Sequence, residues 1–171
     1  MIKELTAKIN EEDEFCLLVD GPSGSGKTTL LLALVRGLLD RQQVNFCIIP
    51  QYPNIFSGSV EENINFFRPP VSPQILQKVM LEAGLKHIKP DFKLQSGGEP
   101  LSGGERQRLV LARSLLPSNS RLIIIDEGFS AMDDDRSKAS MKQVISNFRQ
   151  IIFTAHGPSQ KSFATETLTI S

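Results

Sequence analysis

The chain is 171 residues long, 40% apolar and 22% charged, and its 19 basic and 19 acidic side chains leave no formal net charge. This is the profile of one globular domain large enough to bury a core, and it argues against a nucleic-acid binder, which ordinarily carries a basic excess. No secretory leader is found, and the longest apolar run, around Leu30–Val35, falls far short of the ~20 residues that span a bilayer.

Phe15–Val19 is short and wholly apolar, which predicts a strand buried on both faces, as in a parallel sheet. Cys16 and Cys47 lie inside such runs without the spacing of a redox pair or metal site, so they are expected as reduced, buried thiols. After the strand, Gly21 to Gly26 is glycine-rich, and Leu30, Leu31, Leu34, Val35 and Leu38 follow at helical spacing. Within this strand–loop–helix, Gly21-Pro22-Ser23-Gly24-Ser25-Gly26-Lys27-Thr28 matches the phosphate-loop pattern G-x-x-x-x-G-K-[ST] at every fixed position. Glycines allow the backbone to wrap a phosphate with its N–H groups inward, and the helix that follows points its positive end at the same anion. Lys27 can reach the β- and γ-phosphates, and the Thr28 hydroxyl can ligate Mg²⁺. A plain glycine-rich turn would leave unexplained why Lys27-Thr28 open the helix directly after Gly26.

Val44–Ile49 predicts a second buried strand, ending at Pro50. From Tyr52 to Pro100 no strong strand pattern shows. Ser72-Pro73 reads as an N-cap with proline at the first helical position, followed by Ile75, Leu76, Val79 and Met80 at helical spacing, so this stretch is expected to be a helical insertion. Ser102-x-x-Glu105 is a capping box that starts a helix carrying Leu109, Val110, Ala112 and Leu115. The same serine, two glycines and helix N-terminus also make a second anion site. Leu122–Ile125 predicts a third strand, and it ends in Asp126-Glu127. In a parallel sheet ligands sit at the carboxyl ends of strands, which places Asp126 to hold Mg²⁺ through water and Glu127 to orient or deprotonate an attacking water. Met141, Val144, Ile145 and Phe148 mark a helix with one apolar face, and Gln150–Thr154 a fourth strand shortly before His156. The alternation predicts an α/β fold with a mainly parallel sheet.

Leu101-Ser102-Gly103-Gly104-Glu105-Arg106-Gln107-Arg108 resembles the signature sequence of the ABC ATPases. The family's other landmarks follow in its order: Gln51, after a strand and Pro50, is similar to the Q-loop glutamine, Ser130-Ala131-Met132-Asp133 to the D-loop, and His156 to the switch histidine. The resemblance runs from about Ile2 to Ile170. It implies a P-loop NTPase fold of the ABC ATPase type over residues 1–171, with an α/β core of 1–51 and 101–171 and a helical subdomain at about 52–100. ATP and Mg²⁺ are the implied ligands. On that likeness Gly21, Ser23, Gly24, Ser25, Gly26, Lys27, Thr28 and Thr29 cradle the nucleotide, and Thr28, Gln51 and Asp126 attend the metal. Glu127, His156, Gln51 and Lys27 carry hydrolysis. Ser102, Gly103, Gly104 and Asp133 contact nucleotide across a head-to-tail pair of domains.

Gln51–Ile64 is also similar to the segment after the Q-loop in exporter-type domains, where it faces the coupling helix of the membrane domain. The implied partners are a second ABC ATPase domain, identical or not, and a transmembrane domain that holds this one at the cytoplasmic face of a membrane; no nucleic acid is expected. One alternative is a soluble ABC-type ATPase uncoupled from transport, whose long coiled coil finds no room in the about fifty residues between Gln51 and Leu101. The other is a regulatory nucleotide-binding module, in which the catalytic acid, lysine or histidine would be lost. Three departures from the family stand out. No aromatic residue precedes Phe15 to stack on adenine: it is absent, supplied from elsewhere, or missing with a first strand, and weak ATP binding with little base discrimination is the expectation. Gly128 replaces a common proline, which is expected to alter local rigidity more than chemistry. Leu94–Glu99 matches the exporter pattern only loosely.

Overall fold

The computed structural model describes residues 2–11, 13–41, 45–66 and 68–171. With elements numbered in chain order, strands β1 (Phe15–Asp20), β2 (Phe46–Ile49), β5 (Leu122–Asp126), β6 (Gln150–Thr154) and β7 (Glu166–Thr169) form one parallel sheet in the order β2-β5-β6-β1-β7. Alternation along each strand splits the core between the two faces. Phe15, Leu17 and Val19 pack with Leu122, Ile124 and Ile152 under α1 (Ile2–Asn10) and α2 (Lys27–Arg41). Cys16 and Leu18 join Ile123, Ile125, Ile151 and Phe153 on the opposite face, under α5 (Gly103–Ser114) and α6 (Asp134–Asn147). Each fully buried aliphatic side chain here contributes roughly 1.5–3 kcal/mol, so the sheet is a rigid platform for the loops at its carboxyl edge.

Between β2 and α5 lie α3 (Val60–Asn65) and α4 (Pro73–Glu82), both packed on α5. Ser72 caps α4 with Pro73 at its start, as the sequence predicts. A small antiparallel pair flanks these helices, β3 (Gly58–Ser59) before α3 and β4 (Lys93–Leu94) after α4, too short to leave a pattern in sequence. The expected buried strand over Val44–Ile49 is corrected in part: β2 starts at Phe46 and is an edge strand, with Cys47 and Ile49 buried but Ile48 40% exposed. Val44 lies outside the described residues. Both cysteines are free and buried. Sequence periodicity also left α1, β7 and the short α7 (Pro158–Lys161) unread. α1 is nine residues long and inserts Leu5 and Ile9 beside α2, while β7 buries none of its residues fully and so lacks a strand's usual apolar pattern.

Candidate functional site: a phosphate loop facing a paired glutamate

The loop between β1 and α2 has the backbone its glycines permit. Gly26 has φ +89° just before the helix begins, a left-handed conformation that a side chain would disfavour. A Cβ at Gly21 would overlap the Ile170 carbonyl oxygen, so the chain end beyond β7 presses on the loop's root. Lys27 is buried, and its ammonium donates to the carbonyls of Gly21 (2.9 Å) and Pro22 (2.8 Å). The lysine is thereby held inside the loop, and the buried Ser25 Oγ in the same loop has no partner. A loop with an unpaired hydroxyl, inward glycines and a helix N-terminus is a ready acceptor for phosphate oxygens.

Ser23, Gly24, Gly26, Lys27, Thr28 and Thr29 line a polar cleft of about 290 Å³, closed on its far side by Gln51 and Glu127. Glu127 is the centre of the arrangement. Its Oε2 accepts from Gln51 Nε2 at 2.9 Å, and its Oε1 lies 2.6 Å from His156 Nε2, an ion pair when the imidazole is protonated. Three residues far apart in sequence therefore meet on one carboxylate, because β2, β5 and β6 all end at the same edge of the sheet. Glu127 also takes a positive φ of 46°, a conformation that costs a non-glycine residue roughly 1–2 kcal/mol. Thr154 stabilises it: the Thr154 hydroxyl accepts from Glu127 N–H at 2.9 Å and donates to Asp126 Oδ1 at 2.8 Å. Sequence reasoning passed over Thr154, although a polar residue ending the apolar run of β6 was its signal. Gly128 was read as a matter of local rigidity. The structure adds a packing reason, since a Cβ there would overlap Ile49 Cγ2 and lie 2.9 Å from Ile125 Cγ2.

Ser102, Gly103, Gly104 and Asp133 do not line this cleft. Ser102 caps α5 in a complete capping box with Glu105, and Ser102 Oγ donates to Glu105 Oε2 at 2.7 Å. The two glycines sit against the loop after β5, where a Cβ on Gly103 would come 3.2 Å from Ala131 Cβ and one on Gly104 3.1 Å from Ala131 O. Gln107 locks this contact, accepting from Ala131 N–H at 3.0 Å and donating to Ser130 Oγ at 3.3 Å. Asp133 caps α6. His87, unremarked in the sequence, holds Glu105 Oε1 at 2.8 Å, and with Ser102 it brings the Glu105 carboxyl down to about 2. At the far end of α5, Arg113 donates to the carbonyls of Asn63 (3.0 Å) and Asn54 (3.2 Å) and stacks 4.0 Å over Phe66, tying the helix to the segment after Gln51. Phe15 is buried in β1, with the Lys8 ammonium 5.2 Å over its ring.

A parallel sheet with a phosphate loop after its first strand, an acidic pair ending another, and a capped serine–glycine helix beside the following loop defines a P-loop ATPase of the ABC type. The family model described as ABC transporter matches residues 2–130. A lactococcin transport/processing ATP-binding protein (LcnC-like) of Lactococcus lactis is 31% identical over 91% of the chain, which covers 25% of that protein. A pediocin PA-1 transport/processing ATP-binding protein of Pediococcus acidilactici is 33% identical over 82% of the chain and 23% of its own length. A solved bacterial Atm1-family ABC exporter with ATP bound shares the fold, with a TM-score of 0.78 over 92% of this chain and 32% of that one, at 22% identity. The chain belongs to the ABC transporter family of ATP-binding domains, and it spans about a quarter of the length of the two curated relatives.

Proposed function

We propose that this domain binds Mg-ATP, hydrolyses it, and powers an exporter by closing and opening head to tail against a second ABC domain. The observation that carries the reading is the convergence of Gln51 and His156 on Glu127, directly across the cleft from Lys27 and Thr28. Lys27, the loop N–H groups and Ser25 hold the phosphates, and the Glu127 carboxylate takes the proton from the attacking water. Mg²⁺ fits the donor set. Thr28 Oγ and Asp126 are hard oxygen ligands, and the Gln51 carbonyl oxygen stays free while its amide donates to Glu127. Among the described residues no group of three or more His, Cys, Asp or Glu is placed to hold a metal ion by itself. Bound there, the ion neutralises charge that develops on the phosphates.

The N-terminus of α5 supports the second-domain reading, because Ser102 and Gly103 are exposed at a helix end suited to an anion and do not line their own cleft. The transport reading rests on the curated relatives and on an open hollow of about 660 Å³ lined by Phe56, Ser57, Gly58, Glu62, Lys93 and Leu94, within and beside the exporter-like segment. A coupling helix of a transmembrane domain would dock there, placing this domain at the cytoplasmic face. No described helix is long and apolar enough to cross a membrane itself. Glu127→Gln tests the catalytic assignment. ATP binding should persist, phosphate release should fall by orders of magnitude, and an ATP-bound dimer should accumulate in size-exclusion chromatography. Near-normal turnover would refute it.

A further inference from the structure

Asp20 places a carboxylate at the root of the phosphate loop, one residue before Gly21. Its Oδ1 accepts from the Gly21 N–H at 2.9 Å and from Lys161 Nζ at 2.8 Å. Lys161 ends α7, the short helix that follows His156, so the pair joins residues 141 positions apart. Both side chains are about one-third exposed. Hydrogen bonding from Lys161, then from Gly21, holds the Asp20 carboxyl below its ordinary range, so the group is an anion wherever ATP would bind. An anion at that point opposes a polyphosphate, and the loop's own cation, Lys27, is engaged with the Gly21 and Pro22 carbonyls.

We propose that Lys161 is a charge-balancing and positioning residue for ATP: it cancels the Asp20 carboxylate beneath the phosphate loop and ties the helix after the His156 loop to that loop. The inference rests on the reading of this cleft as the triphosphate cradle. Without Lys161 the carboxylate at the loop's root keeps only the Gly21 N–H and the charge of Lys27 as partners, and its unbalanced charge would weaken polyphosphate binding on the order of tenfold at low salt. The pair is partly exposed, so salt reduces the effect. Removing the carboxylate as well removes the repulsion.

Equilibrium binding of a ribose-labelled fluorescent ATP analogue to the 171-residue chain and its variants, at low and high salt, tests this, with thermal unfolding as the folding control. Lys161→Met should bind about tenfold more weakly at low salt, with the loss shrinking as salt rises. Lys161→Arg should restore binding. Asp20→Asn alone should bind as tightly as the parent chain or more tightly, and Asp20→Asn combined with Lys161→Met should recover parental affinity. Equal weakening by Asp20→Asn and Lys161→Met, with no recovery in the double variant, would overturn charge balancing. Unchanged affinity in Lys161→Met while Lys27→Ala abolishes binding would overturn the role of Lys161 but leave the cradle intact. No binding by the parent chain would overturn the cradle itself, and this inference with it.

Discussion

Thr154→Val is the sharpest probe of how the catalytic edge is built. The substitution is close to isosteric at a residue only 1% exposed, so it changes hydrogen bonding and little else. It leaves the Glu127 N–H without its acceptor, a loss of about 1–3 kcal/mol, and takes a donor from Asp126, whose partial exposure keeps that second loss to about 1 kcal/mol. The sum of about 2–4 kcal/mol corresponds to a fall in Tm of roughly 5–15 °C for a domain of this size. Turnover should fall as well, because the bond also holds Glu127 at φ +46°. Released, Glu127 relaxes toward an ordinary backbone and its carboxylate leaves Gln51 and His156. Phosphate release should fall at least about tenfold at temperatures where the variant is still folded, about 1.4 kcal/mol in barrier. Thr154→Ser keeps the hydroxyl and should retain most activity. A Thr154→Val protein with Tm unchanged within about 2 °C and parental turnover would refute the bridge as the support of Glu127.

Gly128→Ala should lower Tm by about 3–10 °C through overpacking worth about 1–3 kcal/mol against Ile49 and Ile125; calorimetry with no change would show that the site can accommodate a Cβ. Proline carries the same Cβ, so the family's common residue should be rejected here as well. Lys27→Ala and Ser102→Arg should each abolish ATPase activity alone, and mixing the two should restore part of it, since one site of the mixed pair carries neither defect; proven mixed dimers without activity would count against head-to-tail assembly. Glu105 is held from an ordinary 4.5 down to about 2 by His87 and then Ser102, so its contribution to stability is present above about 4.5 and is lost as pH falls toward 2. Glu105→Gln should flatten the acid limb of the denaturation midpoint between those values, and an unchanged slope would contradict the assignment.

The parts of the fold legible in sequence are those where one physical demand acts on adjacent residues. Phe15–Val19 and Leu122–Ile125 must satisfy two apolar faces at once, so they read as central strands, and the phosphate loop declares itself because wrapping an anion needs glycines at fixed spacing. Gln51 and His156 were found by likeness to a family and Glu127 by its place at a strand's carboxyl end, but their meeting on one carboxylate depends on the order in which strands enter the sheet, which no local pattern encodes. His87 and the Asp20–Lys161 pair were illegible for the same reason, each being defined by a partner from a distant element, and the polar end of β6 marked Thr154 without showing its partners. Ile48 shows the opposite failure, an apolar residue in an apolar run whose exposure follows only from β2 being the last strand on its side.

The polar groups of the cleft are satisfied largely by one another, and this bears on how hydrolysis is controlled. Lys27 is bonded to its own loop, and both oxygens of Glu127 are taken by Gln51 and His156. Each carboxylate oxygen keeps a second lone pair, so the two bonds orient Glu127 toward a water without blocking its role as a base. Each hydrogen bond to a charged group is worth roughly 1.5–3 kcal/mol, so a nucleotide contact that displaces either one must replace that much. The γ-phosphate is the natural replacement for Glu127 as the partner of His156 and Gln51, because both can donate to its oxygens. On the proposed head-to-tail reading, the signature end of α5 would offer the remaining contacts from a second domain, and the Gln107 bonds to Ser130 and Ala131 tie that end to the loop that follows Glu127. Arg113 carries the same helix to Asn54 and Asn63, in the segment that borders the 660 Å³ hollow. A single rigid helix thus spans the distance from the proposed nucleotide interface to the proposed membrane-domain dock, so rotation of α5 on phosphate binding would be felt at both ends.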